Sequence, residues 1–187
     1  VAHDGIDESF LEEPISQTEA RDRLGLPLDA KIAMYIGGFD KWKGVETFFQ
    51  AAAHTSEVTF VAIGGSKEEV KHYKERYPAV TFLGQKPYKD LVYNQQAADV
   101  LVIPNSAKEP IGASYTSPLK LFAHMAASVP LVVSDVPSIR AVLGENGHYF
   151  TPDNEQSLAV AIQNVMDNTN DNSVTLRDRA EEFTWIA

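Results

Sequence analysis

The sequence predicts an α/β fold, a doubly wound parallel sheet with helices on both faces. Short apolar runs such as KIAMYI at 31–36 and VTFVAI at 58–63 are typical of buried strands. Stretches with helical spacing separate these runs, and a glycine pair follows each of the first two strands. Strands that alternate with helices at this interval are joined by right-handed crossovers, which make the sheet parallel and Rossmann-like.

Length and composition fit one domain of this class. The 187 residues, 44% of them hydrophobic, are enough to bury one full core. We expect 1–187 to be a single domain, with 1–30 as a lead-in loop and helix and 173–187 as a C-terminal helix and tail. The net charge of −10 excludes non-specific binding to nucleic acid or to an anionic membrane, since both require a basic surface. There is no cysteine, and no apolar run has the length of a membrane span.

The elements are predicted in order from spacing and from turn residues. The lead-in helix begins at Ser16, which forms a capping box with Glu19, and ends at Gly25. The later predicted elements are strand 31–36, helix 44–53, strand 58–63, helix 67–77, strand 80–83, helix 88–97, strand 100–103, a helix from 117 or 118, strands 131–133 and 148–150, a helix over 158–166, and a last helix to about 182. The run DNTNDN at 167–172 lacks the glycine and the final glutamate of a calcium loop, so a solvated linker is favoured there.

The helix that starts at Ser117 or Pro118 is expected to be central. Ser117 suits the N-cap and Pro118 the first helical position, and Leu119 and Phe122 follow at helical spacing. Free N–H groups and the positive end of the helix dipole favour a phosphate at such a start, and Lys120 adds a cation one turn in. The alternative is an ordinary capped helix of the core.

Glycine-rich turns mark a candidate site at the carboxyl ends of the strands, where open parallel sheets bind ligands. The pairs Gly37-Gly38 and Gly64-Gly65 allow the backbone to approach a ligand closely, although neither is a GxGxxG fingerprint. Residues 104–106 end a later strand at the same edge. Lys43, directly before the predicted start of a helix, is placed to reach a diphosphate, whereas the alternative is a surface lysine on a first turn.

Several stretches, in order, resemble the C-terminal half of a family-4 glycosyltransferase of the GT-B fold: VAHDGID, YIGGFDKWKGVETF, VAIGG, VTFLGQ, AADVLVIPNS, SPLKLFAHMAASVPLVVSDVPSIRAVL and FTW. The resemblance spans nearly the whole chain. It implies a domain that binds a nucleotide-sugar donor, while an N-terminal domain, absent here, binds the acceptor. Transfer takes place in the cleft between them, usually with retention of configuration. The chain begins at Val1, without Met, and is expected to be part of a longer protein.

The resemblance also assigns residues to a donor site. Lys43 matches the lysine that holds the diphosphate, the main chain at Thr116, Ser117 and Leu119 matches the loop and helix start that cradle it, and Gln85 and Lys86 fall beside the base. With the positions argued from the residues themselves, the predicted donor site comprises Gly37, Gly38, Lys43, Gly64, Gly65, Gln85, Lys86, Thr116, Ser117, Leu119, Lys120 and Ala123.

The same resemblance defines partners and excludes a metal. It implies a nucleotide-diphosphate sugar of the UDP or GDP type as ligand, the missing N-terminal domain as partner, and neither a metal nor another cofactor for stabilising the leaving group. No catalytic residue is assigned to this half. The chain is expected to be cytoplasmic and without membrane contact of its own, and any association with a membrane would belong to the absent half.

Two departures from the family pattern stand out. Gly38 lies where the family commonly has an arginine, and Lys41 is a candidate substitute for that cation. The family has a pair of glutamates at the positions of Tyr115 and Ala123. The second of these glutamates usually hydrogen-bonds the ribose, and Ala123 cannot replace that contact. His124 is either a partial substitute for it or a helix-surface histidine in place of an aromatic residue. Glu109 is another candidate carboxylate, but it is out of register.

Two hypotheses from different classes therefore remain open. The first is the donor-binding half of a glycosyltransferase, supported by Lys43 and the SPLK helix. The second is a degenerate, non-catalytic relative that serves as an interaction module, supported by Gly38 and Ala123. A different nucleotide-sugar enzyme on the same fold, such as an epimerase, would need acidic and histidine residues in the cleft that the sequence does not place there.

Overall fold

The structure, a computed structural model, describes residues 15–110, 119–167 and 173–181. Its strands are β1 (Lys31–Ile36), β2 (Val58–Ile63), β3 (Val80–Gly84), β4 (Val100–Ile103), β5 (Leu131–Ser134) and β6 (His148–Phe150). They form one sheet in the order β3-β2-β1-β4-β5-β6, and every pairing is parallel. The chain order reverses between β1 and β4, which is where a doubly wound sheet opens a crevice for a ligand.

Helices connect consecutive strands and flank the sheet. They are α1 (Gln17–Leu24), α2 (Val45–Ala51), α3 (Lys67–Arg76), α4 (Leu91–Gln95), α5 (Leu119–Ala126), α6 (Pro137–Leu143), α7 (Glu155–Asp167) and α8 (Ser173–Ala180). Short 3₁₀ turns lie at Lys41–Lys43, Ala52–His54 and Tyr88–Asp90. None of these described helices is long and apolar enough to cross a membrane.

Two apolar cores lie on the two faces of the sheet. Successive side chains of β1 alternate between them, since Ile32 and Met34 enter one core while Ala33 and Tyr35 enter the other. Residues from α1, α5, α6 and α8 complete the first core, and residues from α2 and α7 complete the second. Both faces are covered, as they must be for strands that are apolar on both sides. The predicted α/β, Rossmann-like doubly wound architecture is therefore confirmed.

A buried arginine of the lead-in helix α1 forms hydrogen bonds that link this helix to the start of the sheet. Arg21 donates from Nε to the carbonyl of Ala97 at 3.0 Å, from Nη2 to the Asp99 carboxylate at 2.7 Å, and from Nη1 to the carbonyl of Leu28. The same Asp99 oxygen accepts from the N–H of Ile32 at 2.6 Å. The residues before β1 are thus part of the packed structure.

Some predicted elements are corrected in detail. Helix α6 was not predicted from the sequence, because it is only seven residues long, although Pro137 occupies its first turn and its apolar residues pack into the first core. Only half of the capping box at α1 forms: Ser16 accepts from the N–H of Glu19, but the Glu19 carboxylate pairs with Arg23 at 2.6 Å. A complete capping box forms instead at the N-terminus of α3, between Ser66 and Glu69.

Candidate functional site

The two glycine turns meet at the carboxyl edge of the sheet. The N–H of Gly37 donates to the carbonyl of Ile63 at 2.9 Å, at the end of the neighbouring strand. Gly64 has a φ of 130°, and a Cβ on it would lie 1.9 Å from the carbonyl oxygen of Gly37. Backbone therefore packs on backbone here, which no residue with a side chain would permit. The prediction that the two glycine turns lie next to each other is therefore confirmed.

The segment after β1 is anchored to the end of β4. Gly44 has a φ of 61°, and a Cβ on it would lie 1.9 Å from the carbonyl oxygen of Pro104. The N–H of Ser106 donates to the carbonyl of Trp42 at 3.0 Å. Next to these contacts, Asn105 is 3% exposed, and its Oδ1 has no hydrogen-bond partner among the described residues. The Lys41–Lys43 turn thus lies at the β1–β4 reversal.

Lys43 lies over the second glycine of the first turn. Its Nζ lies 2.6 Å from the Asp40 carboxylate and 5.0 Å from the centroid of the Trp42 ring, and 18% of its side chain is exposed. The hydrogen bond from Lys43 lowers the pKa of Asp40 below its usual value. A Cβ on Gly38 would lie 2.9 Å from the Lys43 ammonium. The Lys43 ammonium therefore uses space that a side chain at position 38 would take.

Lys120 reaches the first glycine of the same turn from helix α5. Its Nζ lies 3.4 Å from the Tyr35 hydroxyl and 4.8 Å from the centroid of that ring. A Cβ on Gly37 would lie 2.9 Å from this ammonium. Burial, and then the nearby charge of Lys43, lower the pKa of Lys120 to about 7, against the opposing effect of Asp40. Two lysines from distant parts of the chain therefore lie at adjacent glycines.

Tyr35 connects the turn to Lys120. Its hydroxyl donates to the carbonyl of Gly38 at 2.5 Å and accepts from Lys120. Its ring is fully buried against Phe39 and Phe48. Burial, together with the charge of Asp40, raises the pKa of Tyr35 well above its ordinary value, so the group is a neutral phenol. Sequence reasoning missed this residue, although a tyrosine inside a buried strand signals a hydroxyl that requires a partner.

Three further predicted site residues follow the ends of β2 and β3: Gly65, Gln85 and Lys86. A Cβ on Gly65 would lie 2.3 Å from the Phe39 ring, so this glycine serves the packing of an aromatic cluster. Gln85 and Lys86 are exposed and follow β3, the edge strand, two strands from β1. At about 4.8 Å per strand, that places them roughly 10 Å from the first glycine turn.

Lys41 and Glu109, two of the candidate substitutes, line the same cavity. It has a volume of about 310 Å³ and lies beside α2, where Glu46 and Asp153 also line it. Among the described contacts of Lys43 and Lys120, neither Lys41 nor Glu109 occurs. The structure therefore places Lys120, and not Lys41, as the second cation beside Lys43.

Of the remaining predicted positions, helix α5 contains Leu119 and Ala123. Thr116 and Ser117, like Tyr115, lie outside the described residues, and Leu119 is the first described residue of the helix. Ala123 is 4% exposed and belongs to the first core, so its side chain is buried among apolar residues.

The expectation of a helix-surface histidine at position 124 is wrong. His124 is 1% exposed, and its Nδ1 lies 2.7 Å from the Gln95 amide of α4. Burial lowers the pKa of His124 to about 3, with a smaller contribution from the charge of Lys120, so the ring is neutral. Its ring therefore fills the interior between α4 and α5.

Comparison with known proteins identifies the wider group. A D-inositol 3-phosphate glycosyltransferase of Corynebacterium aurimucosum is 26% identical over 191 residues, covering 90% of this chain and 43% of the relative. Among solved structures, sucrose-phosphate synthase from Thermosynechococcus elongatus superposes with a TM-score of 0.81 at 26% identity, covering 97% of this chain and 48% of that one. The chain thus spans less than half the length of these two proteins.

Two further structures share the fold. HepE of Anabaena, solved in complex with UDP-glucose, has a TM-score of 0.78 at 20% identity, covering 96% of this chain and 52% of its own. The C-terminal domain of the glycosyl transferase group 1 family protein LpcC from Francisella tularensis has a TM-score of 0.76 at 18% identity, covering 97% of this chain and 100% of its own. A family model for glycosyl transferases group 1 matches residues 30–168, well over half of the sequence. The chain therefore belongs to the glycosyl transferases group 1 family.

Proposed function

We propose that this chain is the C-terminal, donor-binding domain of a family-4 glycosyltransferase. The whole enzyme transfers a sugar from a nucleotide-diphosphate sugar to an acceptor, with retention of configuration, and its N-terminal domain binds the acceptor. The observation that carries the proposal is the pair of ammonium groups at adjacent glycines, Lys120 at Gly37 and Lys43 at Gly38.

Electrostatics favour an anionic ligand at this pair. Two partly buried cations side by side repel each other, and the carboxylate in contact with Lys43, that of Asp40, is 55% exposed. A diphosphate compensates both charges, and each charge-assisted hydrogen bond contributes about 1.5 to 3 kcal/mol. The same cations would stabilise the negative charge that develops on a nucleoside-diphosphate leaving group, without a metal.

The comparisons support the choice of ligand and the division into halves. HepE, which shares this fold, binds UDP-glucose, so UDP is the first nucleotide to test. A chain that spans about half of the related structures, and all of the LpcC C-terminal domain, is the expected size of one half of a GT-B enzyme. In this proposal the acceptor is bound outside the present chain.

A second candidate, a non-catalytic interaction module of the same fold, is favoured by Ala123. At this position, where the family usually has a carboxylate for the ribose, the side chain is apolar and 4% exposed. One missing charged hydrogen bond would weaken donor binding by roughly ten- to a hundredfold. The two candidates differ in one measurable property, which is saturable binding of a nucleotide.

Calorimetric titration of the chain with UDP, GDP and ADP tests the proposal. One nucleotide should bind, and Lys43→Met should weaken it about ten- to a hundredfold through the lost charged contact. Lys41→Met is the matched control. It removes the same charge two residues earlier in the sequence, at an exposed position that lines the cavity beside α2. It should change the affinity less than about twofold.

Two results would count against the donor domain. If none of the three nucleotides binds, the interaction module is the better description of this chain. If Lys41→Met and Lys43→Met weaken binding equally, only the net charge matters and the proposed site is wrong.

A further inference from the structure

We infer that Tyr35 is a positioning residue for diphosphate binding, whose hydroxyl holds Lys120 beside Lys43 so that Lys120 supplies the second phosphate-binding cation of the site. The inference rests on the proposed function. It identifies Lys120 as the cation that replaces the arginine usual in the family at the position of Gly38. It differs from the sequence-based expectation, in which Lys41 was the substitute.

The Tyr35 hydroxyl has one donor and acceptor lone pairs, and both kinds are used. It donates to the carbonyl of Gly38 at 2.5 Å, which orients the oxygen, and it accepts from Lys120 at 3.4 Å. The buried ring cannot move aside, because it packs between Phe39 and Phe48 at centroid distances of 6.3 and 6.0 Å. The acceptor for Lys120 is therefore fixed relative to the glycine turn.

Lys120 needs such a partner to remain at the turn. A lysine side chain has four rotatable bonds, so ordering it costs conformational entropy. The charge of Lys43 disfavours the ammonium here, and burial does so more strongly. The phenol oxygen, together with the ring face at 4.8 Å, offsets part of both effects.

The charged surroundings of Lys120 make ligand binding proton-linked. Among the described residues, its titratable neighbours are Tyr35 of β1, Lys43 and Asp40 of the following turn, and His124 of its own helix, whose pKa the Lys120 charge lowers. Tyr35 and His124 are neutral, so Lys43 and Asp40 carry the charges next to it. Because the pKa of Lys120 is about 7 without ligand, a bound diphosphate raises it and draws a proton from solvent at pH 8.

The test is a double-mutant cycle on UDP affinity, with Tyr35→Phe, Lys120→Met and both together. We expect Tyr35→Phe to weaken UDP binding about threefold to tenfold and Lys120→Met about tenfold or more. In the Tyr35→Phe background, Lys120→Met should cost no more than about threefold, because the lysine is already misplaced. If another nucleotide of the panel binds instead of UDP, the same cycle is measured with it.

Tyr149→Phe is the matched control. The Tyr149 hydroxyl also donates to a glycine carbonyl, that of Gly144 at 2.6 Å, and its ring also faces a cation, Arg140, at 3.7 Å. It lies on β6, at the far edge of the sheet, and should leave the affinity unchanged. Titrations at pH 8 in buffers of different ionisation enthalpy should show uptake of most of one proton per UDP, and none with Lys120→Met.

The outcomes separate this inference from the proposed function. Binding by the unaltered chain, together with unchanged affinity of Tyr35→Phe or equal costs of Lys120→Met in both backgrounds, would overturn the inference alone. Absence of proton uptake would do the same. If none of the nucleotides binds to the unaltered chain, the proposed function and the inference fall together.

Discussion

Replacing Gly44 with alanine tests the contact that joins the turn after β1 to the end of β4. Gly44 adopts a φ of 61°, and the new Cβ would lie 1.9 Å from the carbonyl oxygen of Pro104 and 3.0 Å from the nitrogen of Ser106. Both neighbours are backbone atoms, so no side-chain rotation relieves the overlap. Either the Lys41–Lys43 turn or the segment after β4 has to move.

The expected loss of unfolding free energy has two contributions, one from backbone conformation and one from steric overlap. A second variant, Gly25→Ala, measures the first contribution alone. The left-handed conformation costs an alanine about 1 to 2 kcal/mol, and forcing an extra methyl group into a packed site costs about 1 to 3 kcal/mol. Gly44→Ala should therefore lower the free energy of unfolding by about 2 to 5 kcal/mol. Gly25 has a φ of 67°, and a Cβ there would meet no atom within 4 Å, so Gly25→Ala should cost only about 1 to 2 kcal/mol.

Urea denaturation followed by circular dichroism measures both variants on the same scale. We expect the midpoint of Gly44→Ala to lie well below that of Gly25→Ala. Nucleotide affinity should also fall in Gly44→Ala alone, because Lys43 directly precedes this glycine. Equal losses of stability in the two variants, within about 0.5 kcal/mol, would refute the close approach of the turn to Pro104.

The remaining predictions concern helix α5. Acidification between pH 6 and pH 4 should lower the free energy of unfolding by about 1.4 kcal/mol per pH unit through His124, because the unfolded imidazole takes up a proton near pH 6.5 whereas the folded one, with a pKa of about 3, does not. His124→Gln should flatten this dependence in urea titrations, and identical slopes would contradict it. Ala123→Glu should lower stability by about 2 kcal/mol or more, since the position is buried among apolar side chains. A loss below about 0.5 kcal/mol would mean that the new carboxylate reaches solvent or a bound ligand.

Much of the fold could be predicted because its signals are local. The strands β1, β2 and β4 have the predicted bounds, since continuous apolar runs between turn residues have few other solutions. Helix α6 was missed, because its seven residues carry too little periodicity to separate them from a loop. The predicted helix at 44–53 is preceded by a 3₁₀ turn and starts at Val45, because Gly44 leaves the right-handed region.

The candidate site was predicted only in part, for a related reason. The glycine turns were predictable because they directly follow the ends of strands, and Lys43 because it directly precedes the start of a predicted helix. Lys120 was predicted from a helix start, but its partner Tyr35 lies 85 residues away, and no local pattern connects the two. His124 was expected on a surface, since a lone residue on an apolar helix does not reveal that Gln95 of another helix covers it.

By itself, the sequence determined the fold class, the edge of the sheet where a ligand would lie, and the family resemblance. These follow from short-range periodicity, from residues that stop strands and helices, and from motifs in a fixed order. Only the tertiary structure decided which cations share the site, because that depends on contacts between β1, the turn after it and α5. Lys41 and Lys43 are two residues apart in sequence, yet packing directs one to the cavity beside α2 and the other to Gly38.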